Sequence, residues 1–132
     1  MNYTESLAEI FRRRLPGLAI YSNVDPAREW NGTQSVEFIE TDSALEYYIS
    51  GAYRRYVNVA VAIRAESQDE ASTTGQGLKE ILTEVLDEIK DNGVIESWTY
   101  GDEGTTPDAR GVASGESFYW YQDFQIVENR KL

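Results

Sequence analysis

Asp102, Glu103 and Asp108 stand in one polar stretch, Gly101 to Glu116, that is rich in Gly, Thr and Asp. Clustered carboxylates are the raw material of calcium sites. A calcium loop, however, alternates its acids, places Gly at the sixth position and closes on a bidentate Glu. The spacing here does not match, and solvated loop acids are expected. Carboxylates also work in pairs across a glycosidic bond. Asp69 with Glu70, and Glu84 with Asp87 and Glu88, supply acids at short spacing, and nine Tyr and three Trp could supply sugar platforms. Nothing in the spacing singles out one pair. Gly75-Gln76-Gly77 precedes a helical run, but it lacks the third Gly of a dinucleotide turn and the Lys-Ser/Thr of a P-loop.

Missing residue types narrow the chemistry further. The chain has no His and no Cys. His is the commonest general base and transition-metal ligand, so triads built on it are ruled out. Thiolate catalysis, disulfides, zinc fingers and iron–sulfur clusters fall with Cys. The residues point to a protein that is not an enzyme and carries no cofactor or metal.

Binding chemistry is better represented. Tyr53, Arg54 and Arg55 lie among Tyr47, Tyr48 and Tyr56. Tyr and Arg are enriched at protein interfaces. Cross-strand packing on a half-exposed sheet would use the same residues. Arg12, Arg13 and Arg14 form a second cluster. At the end of a helix they would complement its dipole, or offer a docking patch to an acidic neighbour. Asp102, Glu103, Asp108 and Arg110 of the polar stretch complete the candidate interface residues.

The charge distribution limits the partners. Of the formal net charge of −11, residues 1–64 contribute −1, from eight acids and seven Arg; residues 65–132 contribute −10, from fifteen acids and five bases. Nucleic-acid binding requires Lys and Arg to neutralise phosphates, and the second half would repel DNA. No apolar stretch approaches the ~20 residues of a membrane span. Met1 to Leu15 has no apolar h-region, so synthesis in the cytoplasm is expected.

The elements that must hold these residues follow from periodicity. Leu7, Ile10, Phe11 and Leu15 make a helical stripe that Pro16-Gly17 ends. Ser6 with Glu9 has capping-box spacing, and Thr4 is an alternative cap. Leu18 to Tyr21 reads as a short strand, followed by a loop with Asp25-Pro26 and Asn31-Gly32 turn signals around Trp30. Ser35 to Glu40, Leu45 to Ser50 and Tyr53 to Ala65 read as strands. In the last of these Val57, Val59, Val61 and Ile63 alternate with Tyr56, Asn58, Ala60 and Ala62. Ser67 with Glu70 opens a second helix with the stripe Leu78, Ile81, Leu82, Val85, Leu86 and Ile89, closed by Asn92-Gly93. Gly75 and Gly77 weaken its first turns. Val94 to Tyr100 and Ser117 to Val127 read as strands around the long polar loop. Two striped helices need a sheet to bury against. The expectation is one α+β domain over residues 1–132, with an antiparallel or mixed sheet packed by two helices in the order helix–strands–helix–strands.

With these elements in place, the chain resembles the small minor capsid and tail-terminator (tail-completion, head–tail joining) proteins of tailed bacteriophages. The resemblance rests on the Ser6 to Leu15 helix running into Leu-Pro-Gly and Ile20-Tyr21, and on the strand around Tyr56 to Ala65. The Leu78 to Ile89 helix, the Gly-rich loop and the closing aromatic strand Phe118 to Ile126 complete it. It is a likeness of order and texture over nearly the whole chain, without a signature motif. It implies an α+β virion component that assembles into a homo-oligomeric ring, usually a hexamer, and meets other tail or head proteins. A ring contact is heterologous, so two different faces of each subunit must meet. The alternative reading is a monomeric acidic module that regulates or inhibits a basic partner.

Overall fold

The computed structural model describes residues 3–23, 34–48, 50–107 and 118–130. Within them the chain runs α1 (Tyr3–Arg14), β1 (Ala19–Ser22), β2 (Ser35–Tyr47), β3 (Tyr53–Ala65), α2 (Gln68–Asp91), β4 (Ser97–Pro107) and β5 (Phe118–Arg130). The five strands form one mixed sheet in the order β1-β2-β3-β5-β4. β1 pairs with β2 in parallel, and every other neighbouring pair is antiparallel. The fold class and element order are those the periodicities predict.

The pleat of β3 decides where the core lies. Val57, Val59, Val61 and Ile63 project from one side and are buried with Val36 and Phe38 of β2 and Trp120, Phe124 and Ile126 of β5. Onto that side α1 lays Leu7, Ala8 and Phe11, and α2 lays Ala71, Leu78, Leu82, Val85 and Leu86. Each large aliphatic or aromatic side chain buried there contributes about 1.5–3 kcal/mol. Ala60, Ala62 and Val127 are buried on the opposite face, outside this cluster. There Arg64 and Glu37 form a buried ion pair at 3.6 Å. No helix among the described residues is long and apolar enough to cross a membrane.

Local chemistry explains the ends of the elements. Ser67 caps α2 by accepting from the Glu70 amide at 3.1 Å, with Asp69 and Glu70 in the first turn. Such caps are worth about 1 kcal/mol. Helix α1 differs from the capping-box expectation: it already includes Tyr3 and Thr4, so Ser6 sits inside it. Its first turn is held by long-range partners instead. The Tyr3 hydroxyl donates to the Glu128 carboxylate of β5. Asn23, at φ 51, donates to Thr4 Oγ1 at 2.8 Å and accepts from the Glu40 amide at 3.3 Å. Asn tolerates this left-handed backbone, and one side chain thereby ties α1 to β2.

Two strands are longer than their sequences suggest. Ser35 to Glu40 and the segment after Leu45 are one strand, because β3 continues the ladder through Asp42, Ser43 and Ala44. The join is a bulge at Thr41, whose hydroxyl donates to the Asn58 carbonyl at 3.2 Å. The long polar loop is likewise shorter at its start: Gly101 to Pro107 belong to β4, paired with the aromatic stretch of β5 across a second bulge between Tyr100 and Glu103. The predicted turns at Asp25-Pro26 and Asn31-Gly32, with Trp30, lie outside the described residues.

Candidate interaction surfaces

The β2–β3 hairpin runs on past Phe38, where β1 stops pairing with β2. Tyr47 pairs with Tyr53, and the turn is closed by Tyr48 N–H to Ala52 O at 2.9 Å and by Gly51 at φ +86. β2 is exposed throughout from Glu40 to Tyr47. Leu45 is 52% and Tyr47 71% exposed. By register with Arg55 and Tyr53 they lie on the side of the sheet that carries α1 and α2, so two large apolar groups on the helix side are left largely exposed among the described residues.

The pleat divides the Tyr/Arg cluster in two. Tyr47 and Tyr53 pack ring to ring at 6.1 Å on the helix side. On the opposite side Arg54 makes a two-pronged contact with Glu96 at 3.1 and 3.0 Å and lies 5.8 Å over the Tyr48 ring, and Tyr56 donates to Glu46 at 3.2 Å. Arg55 points back to the helix side, between Glu40 and the buried Glu128 at 3.7 Å each. Arg54 and Arg55 therefore do not form one patch; neighbours in sequence, they serve opposite faces.

The arginines that end α1 are also separated by role. Arg12 donates through Nε and Nη2 to the Ile20 carbonyl at 3.0 and 2.9 Å, which fastens α1 to β1. Arg14 pairs with Glu84 of α2 at 3.0 Å. Arg13 is exposed at the lip of a groove of about 420 Å³ between the two helices. Its floor is Ile10, Val85 and Ile89; Arg13 and Arg14 form one lip, and Glu88 and Asn92 the other.

The loop acids are mostly structural. Glu103 is a strand residue clamped by Gln76 at 2.6 Å, Lys79 at 3.0 Å and the Trp120 indole N–H at 3.2 Å. The Lys79 hydrogen bond, before the others, holds its carboxyl below the usual glutamate range. Asp102 sits in the β4 bulge, and its carbonyl and that of Gly101 each accept from the buried Gln122 amide at 3.3 Å. Asp108 and Arg110 lie outside the described residues. The acids weighed as a catalytic pair are dispersed: Asp69 and Glu70 open α2, Glu84 meets Arg14, and Asp87 accepts from the Trp98 indole at 3.0 Å.

One surface was not visible in the sequence. On the face away from the helices, Asp42, Asn58, Gln125 and Thr99 stand in one row across four strands. Asn58 donates to Asp42 at 2.5 Å, and Gln125 donates to Asn58 at 3.1 Å. The row floors a shallow groove of about 550 Å³ that runs from one bulge to the other and includes Asp123. Burial, with the nearby Asp102 charge second, pushes the Asp123 carboxyl above its ordinary range. Each of these residues alternates with its neighbours as any strand residue does; only the register between strands brings them together.

No known protein family matches the chain, and no curated protein is similar to it at a significant level.

Proposed function

We propose that the chain is a structural virion component of a tailed bacteriophage, a tail terminator or head–tail joining protein that works as a ring of identical subunits and carries out no chemical step. The observation that carries this reading is the exposed β2 side of the β2–β3 hairpin. It presents Leu45 and Tyr47 to solvent on the side of the helix layer. Neighbouring apolar groups left exposed on a sheet mark a surface that another chain covers. The order of elements, shared with the family that the sequence resembles, supports the same reading. Light scattering on the full chain over a concentration series tests it. The expected result is one discrete species at a fixed multiple of the chain mass; a monomer at every concentration counts against self-assembly.

The second reading, a monomeric acidic module, is favoured by the polar groove on the other face. Among the described residues Asp42 and Asp123 line it, and no Lys or Arg does. It suits a partner that donates hydrogen bonds from cationic side chains, with affinity that falls as salt rises. Titration with an arginine-containing peptide at low and high salt tests it; binding that ignores salt removes it.

A further inference from the structure

We infer that the helix–helix groove of one subunit receives the hairpin tip of the next, with Leu45 and Tyr47 seated over Ile10, Val85 and Ile89. This deepens the ring reading and rests on it.

Leu45 and Tyr47 are, with Val94, the large hydrophobic residues left exposed among the described residues. The groove between α1 and α2 has an apolar floor and room for about 420 Å³. Both belong to one chain, yet the tip stays solvent-exposed in it, so the two surfaces meet only between copies. A protruding apolar patch and a pocket elsewhere on the same molecule make a heterologous contact, which propagates head to tail and closes when the rotation per subunit divides a full turn. A two-fold contact between hairpins is disfavoured by charge. Across it β2 would meet its own copy, and the exposed part of this strand, Glu40 to Tyr47, holds Glu40, Asp42 and Glu46 without one base. The same stretch is attracted to the lip of the groove that Arg13 and Arg14 form at the end of α1, where Arg13 is exposed. Complementary fields of this kind steer the encounter and select the partner surface.

The chain contains no Cys, so engineered thiols report one contact without background. The test uses the full chain carrying Leu45→Cys and Ile89→Cys together, oxidised at low salt, beside each single variant, with light scattering on all of them. The double variant is expected to give a ladder of covalent multimers, at least tenfold more abundant than the dimers of either single variant. Leu45→Cys alone giving dimers as efficiently overturns the proposal in favour of a two-fold hairpin contact. No ladder in a sample that light scattering shows to be oligomeric overturns this contact and leaves the ring reading standing. No ladder and a strict monomer overturn both. Tyr47→Ser, at an exposed position that leaves the core intact, is expected to raise the concentration at which oligomers form by at least tenfold; an unchanged midpoint overturns the hairpin's role.

Discussion

Gly75 of α2 lies flat against the indole of Trp120 in β5, so closely that a Cβ at position 75 would overlap the ring. The glycine that weakens the first half of the helix by propensity is what lets the helix approach the sheet. Trp120 in turn reaches past it to donate to Glu103. Gly75→Ala is therefore expected to destabilise the fold by about 1–3 kcal/mol, as overpacked cores do. Gly77 has nothing near its missing side chain, and Gly77→Ala should stabilise by about 0.5–1 kcal/mol through helix propensity. Urea midpoints of the two variants would move in opposite directions.

Arg54 and Arg55 give a second contrast. Glu128 is 2% exposed and relies on Arg55 as well as on Tyr3. Removing Arg55 leaves a buried carboxylate short of its cation, which costs about 3 kcal/mol, the lower end for a broken buried pair, because Arg55 is itself partly exposed. The Arg54–Glu96 pair is far wetter, with side chains 32% and 37% exposed, and Arg54→Leu should cost much less than Arg55→Leu, because solvent screens an exposed pair. Equal losses of stability in Arg54→Leu and Arg55→Leu would contradict the division of the hairpin into two faces.

The Glu103 clamp predicts a pH dependence with a definite sign. Its carboxyl is held below the ordinary range in the folded chain, chiefly by the Lys79 hydrogen bond. A group of this kind adds stability above its unfolded pKa and loses it as the pH falls through the folded value. Acid titration of the unfolding midpoint should therefore be shallower for Glu103→Gln than for the wild type. Parallel curves would show that the carboxylate contributes no proton linkage.

Asp123 predicts the reverse. Burial raises its carboxyl, helped by Asp102, so the folded chain binds its proton more readily than the unfolded one. Its contribution to stability is present below the unfolded pKa and disappears as the pH rises through the folded value. Asp123→Asn should be more stable than the wild type at neutral pH, with the gap closing towards acid. Paired thermal melts at neutral and acidic pH measure that gap.

Where the sequence could be read, a single element carried its own signal. The alternation from Val57 to Ile63 and the stripe from Leu78 to Ile89 each state a buried face without reference to anything else, and both elements form as expected. The errors fall where a distant partner decides. Thr41 to Ala44 look like a break until β3 pairs with them, and Gly101 to Pro107 look like a loop until the aromatic half of β5 lies alongside. Tyr3 begins a helix because Glu128, far along the chain, holds it. The candidate surfaces follow the same rule. Opposite faces for Arg54 and Arg55 were implicit in the period of two, but the exposure of Leu45 depends on where the helices stop covering the sheet. The row from Asp42 to Thr99 depends on the register of three strand pairs.

The two bulges have a consequence for how the protein behaves when crowded. Among the described residues, the outer edge of β2 past Phe38 has no strand beside it, and β4 ends the sheet on the other side. Each free edge is interrupted, at Thr41 in one and at Gly101 and Asp102 in the other, and each interruption is flanked by carboxylates. A foreign strand that zips along either edge meets a kink and a negative charge within a few residues, which is how sheets are protected from open-ended growth. Strand addition at these edges is thus opposed from within the fold, which works against copies at high local density fusing into one continuous sheet.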